Sequence, residues 1–268
     1  MYLLKIEFKK LSSYLTFWVL LGISLLSTFL LTYWSTEFSF RINSAAHLIN
    51  TTSWYQFPSI WGNVTWLCSY ANLFFISIIV ITLVCNEYTF KTIRQNVIDG
   101  LSKFEIVLGK IILIIGLSFA MTLFTGTVCL VFGLIYSEGA INFSGMFNNV
   151  NYLGDFFIQA IAYGMVAYFI ATLFKRTGLS IVMFFVYKSI IESIIDWKFL
   201  PNNLGDYLPM NLFSELTPKP FAQTAANALG KGIFSMYSIT SPTIEILAIV
   251  YIIAIGAGVF LLIKNRDL

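Results

Sequence analysis

A chain of 268 residues with 58% hydrophobic and 11% charged residues, and a mean hydropathy of +0.81, is too apolar for a soluble domain, in which charged residues run near ~25%. It is therefore an integral membrane protein. The net charge of +3 is small and follows the positive bias of one membrane face, so it requires no nucleic-acid partner.

From the N-terminus, Met1–Ser13 sets Leu3, Leu4, Ile6, Phe8 and Leu11 among Lys5, Glu7, Lys9 and Lys10. Such a mixed pattern suits an elbow helix lying along the membrane interface before the first crossing. The apolar run that follows is longer than a signal core, and the bulky Thr32-Tyr33-Trp34 offers no cleavage site, so it reads as a retained span.

A helix crossing a ~30 Å hydrocarbon core needs about 20 mostly apolar residues. Six stretches supply them, at about Tyr14–Tyr33, Leu67–Cys85, Ile111–Ile135, Phe156–Phe174, Leu179–Ile195 and Ile244–Ile263. The fold class is accordingly an all-α polytopic membrane protein, a single domain over residues 1–268. With the N-terminus inside, Lys5, Lys9, Lys10, Lys91, Arg94, Lys103, Lys110, Lys175, Arg176, Lys264 and Arg266 fall on the cytoplasmic side, eleven of the 16 basic residues. That bias places both termini in the cytoplasm.

Between spans 1 and 2, Ser35–Trp66 concentrates Trp54, Tyr55, Trp61 and Trp66, as an outer headgroup boundary does. The sole histidine, His47, reads here as a solvated side chain. Cys68, Cys85 and Cys129 lack paired spacing and read as small apolar fillers, giving neither a disulfide framework nor a metal site. Ser69, Asn72, Ser77 and Thr82 on span 2, and Ser118, Thr122 and Thr125 on span 3, are the small polar residues that pack membrane helices.

The long polar stretch between two spans is Asn86–Lys110. Phe90, Ile93, Val97, Leu101 and Phe104 recur at spacings of three and four, with Lys91, Arg94, Gln95, Asp99 and Lys103 on other faces, which predicts a short amphipathic helix. Asp99-Gly100 stops it. Ser102-Lys103-Phe104-Glu105 then forms a capping box that starts a helix climbing back through Lys110.

A glutamate closing span 2 (Glu87), a basic residue seven positions on (Arg94), a turn at Gly100, then Ser102-Lys103 and Gly109-Lys110 entering span 3 resemble the permeases of type-2 ATP-binding-cassette (ABC) exporters. The basic elbow, the six spans and the large region before the last span extend the resemblance along the chain. Proline, frequent in that family near Gly100 or Leu101, is missing here. The resemblance implies a half-transporter in the plasma (inner) membrane of a bacterium, pairing with a second, identical or homologous permease and resting its coupling helix on cytosolic ABC ATPase subunits, two per assembly. ATP and Mg would be bound by those partners, because this sequence has no G-x-x-x-x-G-K-[ST] phosphate cradle. The chain itself would then be no enzyme and would bind no cofactor. Phe90, Ile93, Val97 and Leu101 are the candidate apolar contacts, with Lys91, Arg94 and Lys103 the charged ones. Glu87 either pairs with a basic residue or caps the connection. By the same resemblance the cargo is amphipathic or hydrophobic, such as a peptide, lipid, glycan or drug, and peptide or antimicrobial efflux is one such role.

The region Trp197–Pro242 holds five of the six prolines, and its apolar pieces Leu208–Phe213 and Phe221–Leu229 are too short to span. They read as re-entrant or surface helices. Within span 5, Lys188 and Glu192 lie one turn apart, roughly 15 Å in by helical rise. Charges at that depth usually face a bundle interior or wet cavity. They border the translocation cavity or gate, or they form a structural ion pair, or the span breaks early and leaves them wet.

Two other classes compete. A secondary transporter or channel would run without ATP, but no inverted repeat marks one. A membrane-embedded enzyme would need a metal spacing or a carboxylate cluster, and Glu37, Glu138, Asp155, Asp206 and Glu215 are scattered.

Overall fold

The computed structural model describes residues 7, 10–12, 14–36, 39–41, 48–50, 54–137, 143–199, 204–219 and 242–265. Among them, six helical runs are long and apolar enough to cross a membrane. They are α1 (Leu15–Thr36), α2 (Ile60–Thr89), α4 (Lys103–Tyr136), α6 (Asn151–Phe174), a composite fifth run and α10 (Thr243–Lys264). The fifth consists of α7 (Thr177–Val186), a π-helical turn (Tyr187–Ile191) and α8 (Glu192–Phe199). Short elements connect them: α3 (Thr92–Ile98), α5 (Phe143–Met146), and a 3₁₀ turn (Leu204–Tyr207) leading into α9 (Pro209–Glu215). Two short antiparallel paired strands, β1 (Ser39–Arg41) with β2 (Leu48–Asn50), follow α1.

The all-α polytopic architecture with six spans matches the sequence expectation, while several boundaries do not. α2 begins at Ile60, seven residues before the expected start, so Trp61 and Trp66 belong to the helix and not to the loop. Trp61 is fully buried and its indole Nε1 donates to the Met146 carbonyl at 2.8 Å, which makes it a core anchor. A tryptophan-rich composition suggests an interfacial belt, but indole packs as readily inside a bundle when its N–H finds an acceptor. α4 likewise starts at the capping box, well before Ile111. His47 and Phe221–Leu229 lie outside the described residues.

α2 and α6 form the centre, with 61% and 72% of their apolar windows buried, against 17% for α1, the fifth run and α10. Close approach explains part of this. A Cβ on Gly164 would lie 2.6 Å from Ile114 Cγ2, so only glycine lets α4 meet α6 there. α1 shows the inversion that lipid imposes. Its buried residues are Ser24, Thr28, Thr32 and Thr36, at four-residue spacing, while Trp18, Leu26, Phe29 and Trp34 face outward. Lipid is as apolar as leucine, so the small side chains that permit tight packing turn inward. Their hydroxyls are satisfied locally: Thr28 and Thr32 each donate to the carbonyl four residues back, at 2.9 Å.

Candidate functional site

At one end of the bundle, α2 stops and the chain reverses through α3 into α4. The stop is built from backbone geometry: Phe90 caps α2, and Lys91 takes a left-handed φ of 56° that swings the chain into α3. α3 ends in the pattern that suits a glycine C-terminus. The Gly100 amide donates to the Val97 carbonyl and the Leu101 amide to the Asn96 carbonyl, with Gly100 at φ 95°, which glycine adopts without strain. The capping box then starts α4, as the sequence predicts: the Glu105 amide donates to Ser102 Oγ at 3.2 Å, and the Ser102 amide to Glu105 Oε2 at 2.8 Å.

The five apolar residues assigned to one amphipathic helix are therefore divided. Phe90 belongs to the end of α2, Ile93 and Val97 to α3, Leu101 to the turn and Phe104 to α4. Their exposure differs accordingly. Ile93 is buried, so its expected role as an outward contact does not fit the side chain's direction. Phe90, Val97 and Ile98 are exposed, with Lys91 and Arg94 exposed beside them. Ile98 lies off the three-and-four spacing, so the sequence pattern does not single it out. Phe104 stacks edge-on against Phe260 of α10, and Lys103 Nζ donates to the Lys264 carbonyl at 3.1 Å, so both tie α4 to the last span.

Behind this surface lies a buried ionic joint. Lys110 Nζ is 2.8 Å from Glu87 Oε1 and 2.5 Å from Glu7 Oε2; Lys10 Nζ is 3.2 Å from the same Glu87 oxygen and 3.7 Å from Glu7 Oε1. Two carboxylates and two ammonium groups thus balance across the N-terminal segment, α2 and α4. The Lys110 and Glu87 side chains are each 6% exposed. Glu7 also lies across Gly109, its Cγ 3.6 Å from where a Cβ would stand. Of the two readings of Glu87, pairing with a basic residue is the one observed. The two-sided use of Lys110 and the part played by Glu7 were not legible in sequence, since they join residues 103 positions apart.

At the opposite end, α9 folds back against the fifth run. Glu192 is fully buried and accepts the Met210 and Asn211 amides at 2.9 and 3.0 Å, which caps the start of α9. Lys188 Nζ donates to the Met210 carbonyl at 2.9 Å. The two side chains grip α9 and not each other. Lys188 stands eleven residues after Thr177, roughly 16 Å by helical rise, so α9 reaches a depth near the middle of that run, as a re-entrant helix does. Gln159 of α6 holds the other end, its Nε2 donating to the Phe213 carbonyl at 2.7 Å, and Tyr251 of α10 donates to the Tyr207 carbonyl at 2.9 Å. Gly205 completes the fit: a Cβ there would overlap the Asp196 carboxylate.

The chain thus has six apolar helical runs, a short connection with exposed apolar and basic side chains, and a short helix folded back against the fifth run. The family model described as ABC-2 family transporter protein matches residues 3–190. The chain belongs to that family. No curated protein matches it. The matched region covers the ionic joint, α3 and the gripping residue Lys188, and stops two residues before Glu192. As an ABC-2 family transporter protein the chain is a membrane component of transport, and membership implies association with ABC ATPase subunits. No group of three or more metal-ligating side chains occurs among the described residues.

Proposed function

We propose that this ABC-2 family member is the membrane-spanning half of an ATP-driven exporter, and that α3 is its coupling helix. The observation that carries this reading is the surface formed by Phe90, Val97 and Ile98 with Lys91 and Arg94. It is exposed, apolar at its centre and basic at its edge, and it is mounted on the ends of two spans. Isolated seven-residue helices are unstable in water. This one is held by a glycine stop, a capping box and the ionic joint, so a push on it is delivered to α2 and α4.

In the proposed cycle two permeases pair, and two ATPase subunits bind ATP and Mg and close beneath them. The α3 helices of the pair approach, α2 and α4 tilt with them, and the cavity between subunits changes the side to which it opens. A change of facing requires only that the ATP-bound partner prefer one of two arrangements. Both termini and α3 lie in the cytoplasm in this reading, which the distribution of Lys and Arg supports. The cargo is amphipathic or hydrophobic, which suits a bundle lined by Phe, Ile and Leu.

The test is photocrosslinking from positions 90, 97 and 98 in native membranes. Capture of an ABC ATPase from all three supports the reading. Capture of lipid alone removes it. Ile93, being buried, serves as the internal control and should capture neither.

A further inference from the structure

A groove of about 330 Å³ runs between α6, the fifth run and α10. Its α6 wall is the stripe Phe169, Ile170, Leu173 and Phe174, and its other walls include Met183 and Ile255. Almost all of its lining is carbon. The lining runs from Val166 to Phe174 on α6 and from Met183 to Ile191 on the fifth run, each eight residue steps, so the groove is roughly 12 Å long along the helix axes, far longer than a compact solute needs. Pro209 of α9 closes one end. Phe174, the last residue of α6, lines the groove toward its other end, two residues before the exposed Arg176 that leads into α7. Lys264, also exposed, ends α10 on the same side. Lys175 takes no part, because its ammonium sits over the Tyr88 ring, 5.2 Å from the centroid, and so faces α2.

We propose that this groove is a binding site for one anionic phospholipid, with an acyl chain lying between α6, the fifth run and α10 and the phosphate at Arg176. An elongated apolar slot along the helix axes, lined near one end by Phe174 two residues before the Arg176 cation, fits that ligand in both shape and charge. A second copy of the chain is a poorer occupant. A narrow concave slot needs an inserted ridge, and the neighbouring outward residues Leu179, Val182, Ile190 and Ile194 already give the fifth run a convex apolar face better suited to another helix. The occupied slot would tie the fifth run, which is little buried elsewhere, to α6 and α10. The bound lipid would thereby hold the run that carries the α9 grip. The site does not depend on the coupling role of α3, because lipid retention requires neither ATP nor an ATPase.

Native mass spectrometry of the purified full chain, with equal amounts of phosphatidylglycerol and phosphatidylcholine bearing the same acyl chains, tests the site. One phosphatidylglycerol should be retained per chain, preferred about fivefold, since one basic side chain near the lipid is worth ~1 kcal/mol. Arg176→Gln should abolish the preference while keeping a bound lipid. Met183→Trp and Ile255→Trp fill the slot from opposite walls, and each should lower retention of both lipids by about tenfold or more, the scale of losing several buried methylenes. Equal retention of the two lipids by the unmodified chain overturns the proposal. So does retention indifferent to both tryptophans, or a disulfide linking Met183→Cys across two copies, which would give the slot to a second permease.

Discussion

The two ends of the bundle both bury charge, and they use it differently. At the α3 end, four side chains of opposite sign meet one another across three elements, with Lys110 and Glu87 at the centre. At the α9 end, Glu192 and Lys188 meet backbone, two amides and one carbonyl of a seven-residue helix that could not stand alone. The first arrangement is a joint: side chains of opposite sign tie the N-terminal segment, α2 and α4 to one another. The second is a grip, which supplies the hydrogen bonds that the end of a short helix lacks. A joint breaks when either sign is removed, whereas a grip weakens one hydrogen bond at a time.

The comparison is most easily broken at Lys110. Lys110→Met leaves Glu87 and Glu7 facing each other with only the partly exposed Lys10 between them, and loss of one partner from a buried ion pair costs about 3–5 kcal/mol. A large drop in the thermal unfolding midpoint of the detergent-solubilised chain is expected. Glu87→Gln combined with Lys110→Gln should cost less than the sum of the single changes, because neither then orphans a charge.

A smaller effect is expected at the grip. Glu192→Gln keeps one acceptor and loses the charge, and hydrogen bonds to charged groups contribute about 1.5–3 kcal/mol. The change should fall on α9, so faster limited proteolysis within 204–219 at nearly unchanged global stability is the expected pattern. Cleavage rates equal to the unmodified chain would make the grip incidental. Gly100→Ala forces a β-carbon into the left-handed region at about 1–2 kcal/mol, and should loosen α3 without touching the joint; faster hydrogen exchange at Asn96–Leu101 is the readout. Arg94→Glu should leave the unfolding midpoint where it is and abolish stimulation of the partner ATPase, which separates a surface that signals from the joint that supports it.

The paired strands Ser39–Arg41 and Leu48–Asn50 and the π-helical turn at Tyr187–Ile191 had no counterpart in the sequence reading. Three-residue strands carry too little alternation to register against a 58% hydrophobic background. A π turn adds one residue to a helix without altering its composition. The turn carries Lys188 itself, so the phase of that side chain relative to Glu192 could not be derived from a count of four residues.

Local chemistry was readable directly. The number of spans follows from the length of apolar runs, because bilayer thickness leaves helices few alternatives, and the start of α4 follows from Ser102 and Glu105, because a capping box closes within four residues. The stop at Gly100 follows for the same reason. Which side chains face inward was decided only by packing. In lipid, hydrophobicity does not distinguish core from surface, so the threonines of α1 were buried where its leucines were not; in α3, Ile93 turned inward and Ile98 out because a seven-residue helix lays only one face against the bundle. The partners of Glu87, Glu192 and Gln159 likewise came from the tertiary structure alone, since a buried polar group takes whatever opposite charge or backbone the fold brings within about 3 Å.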